Sequence, residues 1–316
     1  MGLYSVGLDV GGSWVRAAIG TKEGAILKRE AERVSSESGE SFVKQIGGLV
    51  LRVCEGDLSK VSGIGIGAAG RLDMRKGVVG FSPHTGIRDV PLVEALEESL
   101  GKEVILLNDC VAAALAEKTI GAGKGTDDIV YVGIGTGIGG GIVSGSKLLL
   151  GKDGNAHEIG HMTIDLEGKL ACNCGGRGHW EAYTSGSALP IYSRLLAGVY
   201  DGLEAPLLGR LESLASSKEI FEAHRSGDAF AKYILDKAAG INAIGFSNLA
   251  NLYDPSIITV GGGLALKNVE EVIRPIDRLL PSLSFNRPPK VLPTPLGEDA
   301  PLLGAVVSVF ELGALT

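Results

Sequence analysis

The sequence predicts an α/β protein with a mixed sheet in each of two halves. Three observations carry that expectation. Short β-branched runs alternate with amphipathic stretches along the chain, 48 glycines gather into clusters that follow such runs, and two clusters share one strand–turn–strand layout. At 316 residues and 45% hydrophobic content, the chain exceeds a typical single domain and can fill two cores. In order, residues 4–9 read as a buried strand, and DVGGS at 9–13 turns it into a second strand over 15–20, with a third over 25–29. An amphipathic helix follows at 41–54, then a strand at 63–66, a helix at 92–100, a strand at 104–107 and a helix at 110–118. A second set begins with strands at 129–134, 139–143 and 147–150. Helices near 188–196, 218–226 and 229–252 come next, then a strand at 257–260, and the closing AVVSVFELGAL is apolar and helical. The clusters GIGIGAAGR at 63–71 and VGGG at 260–263 complete the glycine pattern. The likeness of the first and third clusters suggests internal duplication, the alternative being two unrelated hairpins.

A net charge of −7, with lysine and arginine scattered among acids, leaves no basic stripe for a phosphate backbone, so nucleic acid is not an expected partner. No apolar run reaches membrane-spanning length and no charged leader precedes the first strand, so a cytoplasmic protein away from membranes is expected. Cys54 and Cys110 lie in apolar helical patterns and read as small buried thiols, whereas Cys172 and Cys174 sit one residue apart.

That pair belongs to EIGHMTIDLEGKLACNCGGRGHWE, residues 158–181, the densest chemistry in the chain. His161, Cys172, Cys174 and His179 supply four nitrogen and sulfur donors, the number and softness of a closed tetrahedral zinc site, and Glu158 and Glu181 flank them. The glycine turns read as phosphate cradles: Gly11, Gly12 and Ser13 in the first, Gly135, Thr136 and Gly137 in the second, with Asp9 placed to hold magnesium through water. For Ser13 and Thr136 the plainer reading is a turn-stabilising hydroxyl. GTGIGG also fits the dinucleotide pattern with Asp153 beyond it, but GGGIVSGSKLLLG continues as a hairpin where that fold demands a helix. A Walker loop fails as well, because Lys124 is followed by Gly125. In LLNDCVAAALAE a buried strand ends at Asn108 and Asp109 stands at a helix start. Asp109 alone reads as a helix cap, but beside two phosphate hairpins it reads as the base that takes a proton from an alcohol in phosphoryl transfer.

These residues resemble the sugar kinases of the ROK group, in the actin, Hsp70 and hexokinase superfamily, over nearly the whole chain. DVGGS resembles the family's first phosphate loop, GIGTGIGGG its second, NLYDPSIITVGGG (with Gly262 and Gly263) its adenosine segment, and NDCVAAALAE its catalytic segment. ExGH followed by CxCGxxG(C/H)xE is the family hallmark, with His179 where many members carry cysteine. The resemblance implies two RNase H-like domains with an interdomain cleft, one over 1–117 plus 300–316 and the other over 118–299. It implies transfer of the γ-phosphate of ATP, with Mg2+, to a sugar 6-hydroxyl. Asp109 would be the base, Asn108, Glu158, His161 and Glu181 would bind ring hydroxyls, and zinc would be structural. His161 would serve both, one ring nitrogen on zinc and the other on the sugar. A homodimer is expected from the same likeness.

Gly70 and Arg71, with Ala69 where glucokinases carry proline and His84 where they carry asparagine, look more like the N-acetylmannosamine kinases. Arginine can donate to an acetamido carbonyl. The expectation therefore leans slightly to N-acetylmannosamine, with glucokinase or a broad hexokinase as the alternative. His157, His224, Trp180 and Tyr183 read as packed or solvated side chains. Sugar-responsive repressors of the family carry a helix-turn-helix ahead of the first loop, and only eight residues precede Asp9. A non-catalytic sugar sensor is the reading from another class, and sugar-dependent ATP turnover separates the two.

Overall fold

The computed structural model describes residues 3–35, 38–81, 86–202 and 204–313. Its elements are β1 (Tyr4–Val10), β2 (Trp14–Gly20), β3 (Ile26–Arg33), α1 (Gly39–Val53), β4 (Val61–Ala68), β5 (Arg71–Asp73), β6 (Val78–Phe81), β7 (Arg88–Val90), α2 (Leu92–Leu100), β8 (Val104–Asn108) and α3 (Asp109–Thr119). There follow β9 (Ile129–Ile134), β10 (Ile138–Ser144), β11 (Lys147–Leu148), α4 (Glu181–Thr184), α5 (Leu189–Ala197), α6 (Ser217–Arg225), α7 (Ala229–Tyr253), β12 (Ile257–Gly261), α8 (Gly263–Lys267), α9 (Val269–Val272), α10 (Arg274–Leu279), β13 (Lys290–Pro293) and α11 (Ala300–Glu311). Among the described residues no helix is long and apolar enough to cross a membrane.

Two five-stranded sheets share one plan. The first runs β3-β2-β1-β4-β8 and the second β11-β10-β9-β12-β13. Counted within each sheet, both follow the order 3-2-1-4-5, so the duplication suggested by the two glycine clusters is present in the strand topology. A small sheet, β5-β6-β7, is added. The chain divides into two compact units, one of residues 1–131, 141–157 and 294–316, the other of 132–140 and 158–293.

In the first unit β1 pairs antiparallel with β2 and parallel with β4, and β4 pairs parallel with β8. Val6, Leu8, Ile64, Ile66 and Leu106 are buried on these central strands, which therefore read as continuous apolar runs. Amphipathic α1 packs Phe42, Ile46, Leu49 and Val53 into the same core. The other face is covered by α3 and α11. Ser5 Oγ donates to Val306 O at 2.6 Å, and a side chain at Gly65 would stand 1.9 Å from Ala305 O, so the strand needs glycine to admit the helix backbone.

In the second unit the long helix α7 buries Phe230, Ile234, Phe246 and Leu249. Trp180, fully buried, donates through its indole nitrogen to Asn242 on α7 at 2.9 Å and lies where a side chain at Gly245 would be. The segment after the Cys/His stretch is thereby anchored to the unit's main helix.

Candidate functional site

Parallel strands put their carboxyl ends on one edge, and ligands of open α/β sheets bind there. In the first unit Asp9 pairs with Gly67, Val10 with Ala68, and Ala68 with Asn108, so β1, β4 and β8 end side by side. That edge gathers Asp9, the Gly11–Ser13 turn, Gly70 and Asn108–Asp109. The turn closes through Gly11 N–H to Trp14 O at 3.0 Å, and Ser13 is exposed. Gly70 adopts φ 118°, which favours glycine, and sends the chain into β5 with Arg71 exposed. His84 lies outside the described residues.

Asn108, not Asp109, is the N-cap of α3. Its Oδ1 accepts from the Cys110 and Val111 amides at 2.9 and 3.4 Å. Asp109 is the first helical residue, and its Oδ1 also accepts from Cys110 N–H at 2.8 Å. The helix start therefore has a cap without relying on Asp109.

Asp9 is buried and takes both Nε and Nη2 of Arg16 on one oxygen, Oδ2, at 2.9 and 2.5 Å. Burial pushes its carboxyl above the ordinary value while Arg16 pulls the other way. Arg16 also reaches Asp299 at 3.1 Å, and Arg29 reaches Asp299 at 2.6 Å. No motif in the sequence singles out Arg16, although its position in the hairpin carries a signal. Asp9 and Arg16 are symmetric about the four residues Gly11–Trp14 and so face each other as a cross-strand pair.

The second unit repeats the edge. The Gly135–Gly137 turn joins β9 to β10, with Gly135 N–H on Gly137 O at 3.0 Å and Thr136 exposed. Gly262, at φ 86°, ends β12, where a side chain would strike Ile134 O at 2.5 Å. A side chain at Gly135 would lie 3.9 Å from Gly263 N, so the two glycine segments adjoin. The chain continues from Gly137 as a strand, which removes the dinucleotide reading structurally.

The Cys/His segment folds into a knot in the same unit. Isolated bridges pair Thr163 with His179 and Ala171 with Arg177, and Gly178 at φ 73° packs against Asp165 O. His161, Cys172, Cys174 and His179 place one donor atom each within 4.8 Å of one another. His161 Nδ1 is 3.6 Å from Cys172 Sγ and His179 Nδ1 is 3.3 Å from Cys174 Sγ. A tetrahedral ion with bonds of about 2.0–2.3 Å sets ligand atoms roughly 3.3–3.8 Å apart; those two pairs fall in that range and the whole set lies within 4.8 Å, so the number, softness and clustering of the donors suit zinc. Burial pushes the Cys172 thiol up to about 11.

The other His161 nitrogen, Nε2, faces Glu158 Oε2 at 3.5 Å. Glu158 is exposed, so this histidine has one edge in the knot and one on an open carboxylate. Glu181 opens α4, and its Oε2 accepts from Ile138 N–H at 2.8 Å, directly on the glycine turn.

A family model described as the ROK family matches residues 5–311. The chain belongs to the ROK family. Among its relatives in that family, a glucokinase from Thermotoga maritima is 35% identical, the match covering 98% of each chain. A crystal structure of a ROK family glucokinase from Streptomyces griseus in complex with glucose and AMPPNP is 36% identical, covers 96% of this chain and 98% of its own, and superposes with a TM-score of 0.77. A putative N-acetylmannosamine kinase from Listeria monocytogenes is 25% identical over 98% of this chain and 99% of its own, at a TM-score of 0.75. The fold is accordingly that of the actin and hexokinase type.

Proposed function

We propose that this ROK protein is an ATP-dependent sugar kinase that phosphorylates the 6-hydroxyl of a glucose-type hexose. The observation that carries the reading is the likeness, over nearly the whole of both chains, to a glucokinase solved with glucose and AMPPNP, in a chain that keeps Asp109 at the carboxyl edge of β8. Asp109 takes the proton as the sugar oxygen attacks the γ-phosphorus, and Asn108 holds the helix start that aims it. Asn108, Glu158, His161 and Glu181 hydrogen-bond the ring hydroxyls, with the imidazole oriented by its other nitrogen in the knot. The amides of Gly12–Ser13 and Thr136–Gly137 take phosphate oxygens, those of Gly11 and Gly135 being engaged inside their own turns on Trp14 O and Gly137 O, and Gly262–Gly263 lets the nucleotide approach the backbone. Asp9 would hold magnesium through water, which would neutralise phosphate charge, and His161, Cys172, Cys174 and His179 would hold a structural zinc.

Glucose takes precedence over N-acetylmannosamine because the relatives named glucokinase are 35–36% identical and the one named for the acetamido sugar 25%. Arg71, exposed just after Gly70, keeps the N-acetylated sugar as the second reading. A coupled assay of ADP release over hexoses and N-acetylhexosamines tests both. Glucose should give the highest kcat/KM; a preference for N-acetylmannosamine would install the second reading, and ATP turnover independent of any sugar would overturn both.

A further inference from the structure

The glycine turn at 135–138 is gripped at successive residues by one short segment that begins two residues after the last knot ligand. Glu181 Oε2 accepts from Ile138 N–H at 2.8 Å and occupies the place a Gly137 side chain would take, 2.4 Å from its Cβ position. Gly186 N–H donates to Gly135 O at 2.8 Å. Ser187 donates twice to Thr136 O, from its amide at 3.2 Å and its hydroxyl at 2.8 Å. At the other end Cys172 Sγ stands 3.8 Å from Glu181 Oε1. Between these ends the segment is fixed to α7: Thr184 Oγ1 and Trp180 Nε1 share Asn242 Oδ1 at 2.6 and 2.9 Å.

We infer that residues 181–187 are a strut that transmits the order of the Cys/His knot to the glycine turn, with Glu181 and Ser187 as positioning residues for that turn. With Gly135 O and Thr136 O held by the segment and Gly137 O held by Gly135 N–H inside the turn, the Thr136 and Gly137 amides are set in fixed directions, which is what an anion cradle requires. Losing the knot's ion frees the start of α4, and the same strut then lets the turn relax. The functional consequence, weaker nucleotide binding, rests on the kinase reading; the mechanical coupling does not.

Hydrogen exchange followed by mass spectrometry on the full-length protein separates the two. Chelation of zinc, and Glu181→Ala, should each raise exchange across peptides covering residues 133–140, while Glu181→Gln, which keeps an acceptor oxygen, restores protection. Ser187 is exposed, so Ser187→Ala should fold normally; it should raise the dissociation constant for AMPPNP about three- to tenfold, the worth of one such hydrogen bond, with Ser187→Thr recovering most of it. Unchanged exchange over 133–140 after both chelation and Glu181→Ala overturns the strut, whatever the protein phosphorylates. Coupled exchange in a protein that binds no AMPPNP upholds the strut and removes the kinase reading instead.

Discussion

Two carboxylates of one helix have opposite settings and call for different tests. Asp109, at the first position of α3, lies beside a cap already supplied by Asn108. Asp109→Asn should therefore leave the melting temperature within about 2 °C, because the cap persists. Turnover should fall by at least about 10³-fold with sugar affinity nearly kept, as expected when the proton acceptor of the transition state is lost. Steady-state kinetics and calorimetric sugar binding check this, and near-normal turnover would remove Asp109 as the base. Eight residues on, Glu117 is fully buried; Thr294 donates to one of its oxygens and Ala122 N–H to the other at 2.8 Å. Burial raises its carboxyl above the ordinary value, the hydrogen bonds opposing. The folded state then holds this proton more tightly than the unfolded one, so its contribution is full at low pH and declines as pH rises through the folded value. Glu117→Gln should lack that decline. Its stability relative to the native protein should improve between about pH 5 and about pH 8 in urea titrations, and a difference that stays flat or shrinks would contradict the buried-acid account. Asp109 was legible because Asn-Asp at a strand-to-helix boundary is a local signal. Glu117 was not, since its burial is decided by Thr294 and the Gly121–Ala122 turn, far off or folded back in space.

At the scale of elements, the hairpins and long helices were readable and the short connections were not. Strand 129–134 and helix 92–100 came out residue for residue, because a β-branched run and an apolar stripe at helical spacing each fix their own ends. The small sheet of β5, β6 and β7 escaped notice, as three- and four-residue strands carry too few alternations to show a period. β13 was hidden by the Pro-Pro before it and is a strand because β12 pairs with it in parallel. The knot was legible as a donor count, whereas the grip of Glu181 on the glycine turn was not, since nothing local links position 181 to 138. Metal analysis of the purified protein should find about one zinc per chain. Cys174 is the exposed ligand, and Cys174→Ala should lower zinc retention at least tenfold and cut thermal stability, read by mass spectrometric metal content and calorimetry. Full zinc content in that variant would contradict the four-donor site.

For the molecule as a whole, several glycines stand where one backbone meets another and leave no room for a side chain. The sharpest case is α11, which packs on β1, β4 and α3 to complete the first unit. A side chain at Gly304 would stand 1.8 Å from Ala112 O on α3, a backbone atom that cannot step aside without moving the helix. Gly48, in the middle of α1, is the matched control, because its side chain would meet nothing nearer than the flexible end of Arg52 at 3.5 Å. The same chemical change in the same secondary structure should therefore have opposite signs. Gly48→Ala should stabilise by about 0.5–1 kcal/mol, through helix propensity and a less free unfolded chain. Gly304→Ala gains the same local preference and yet should destabilise by about 2–3 kcal/mol net, because the overpacking of two helix backbones outweighs it. Urea midpoints at constant m-value would show the pair diverging about the native protein. Equal and favourable shifts at both positions would mean that α11 and α3 are not in backbone contact and that the first unit closes some other way.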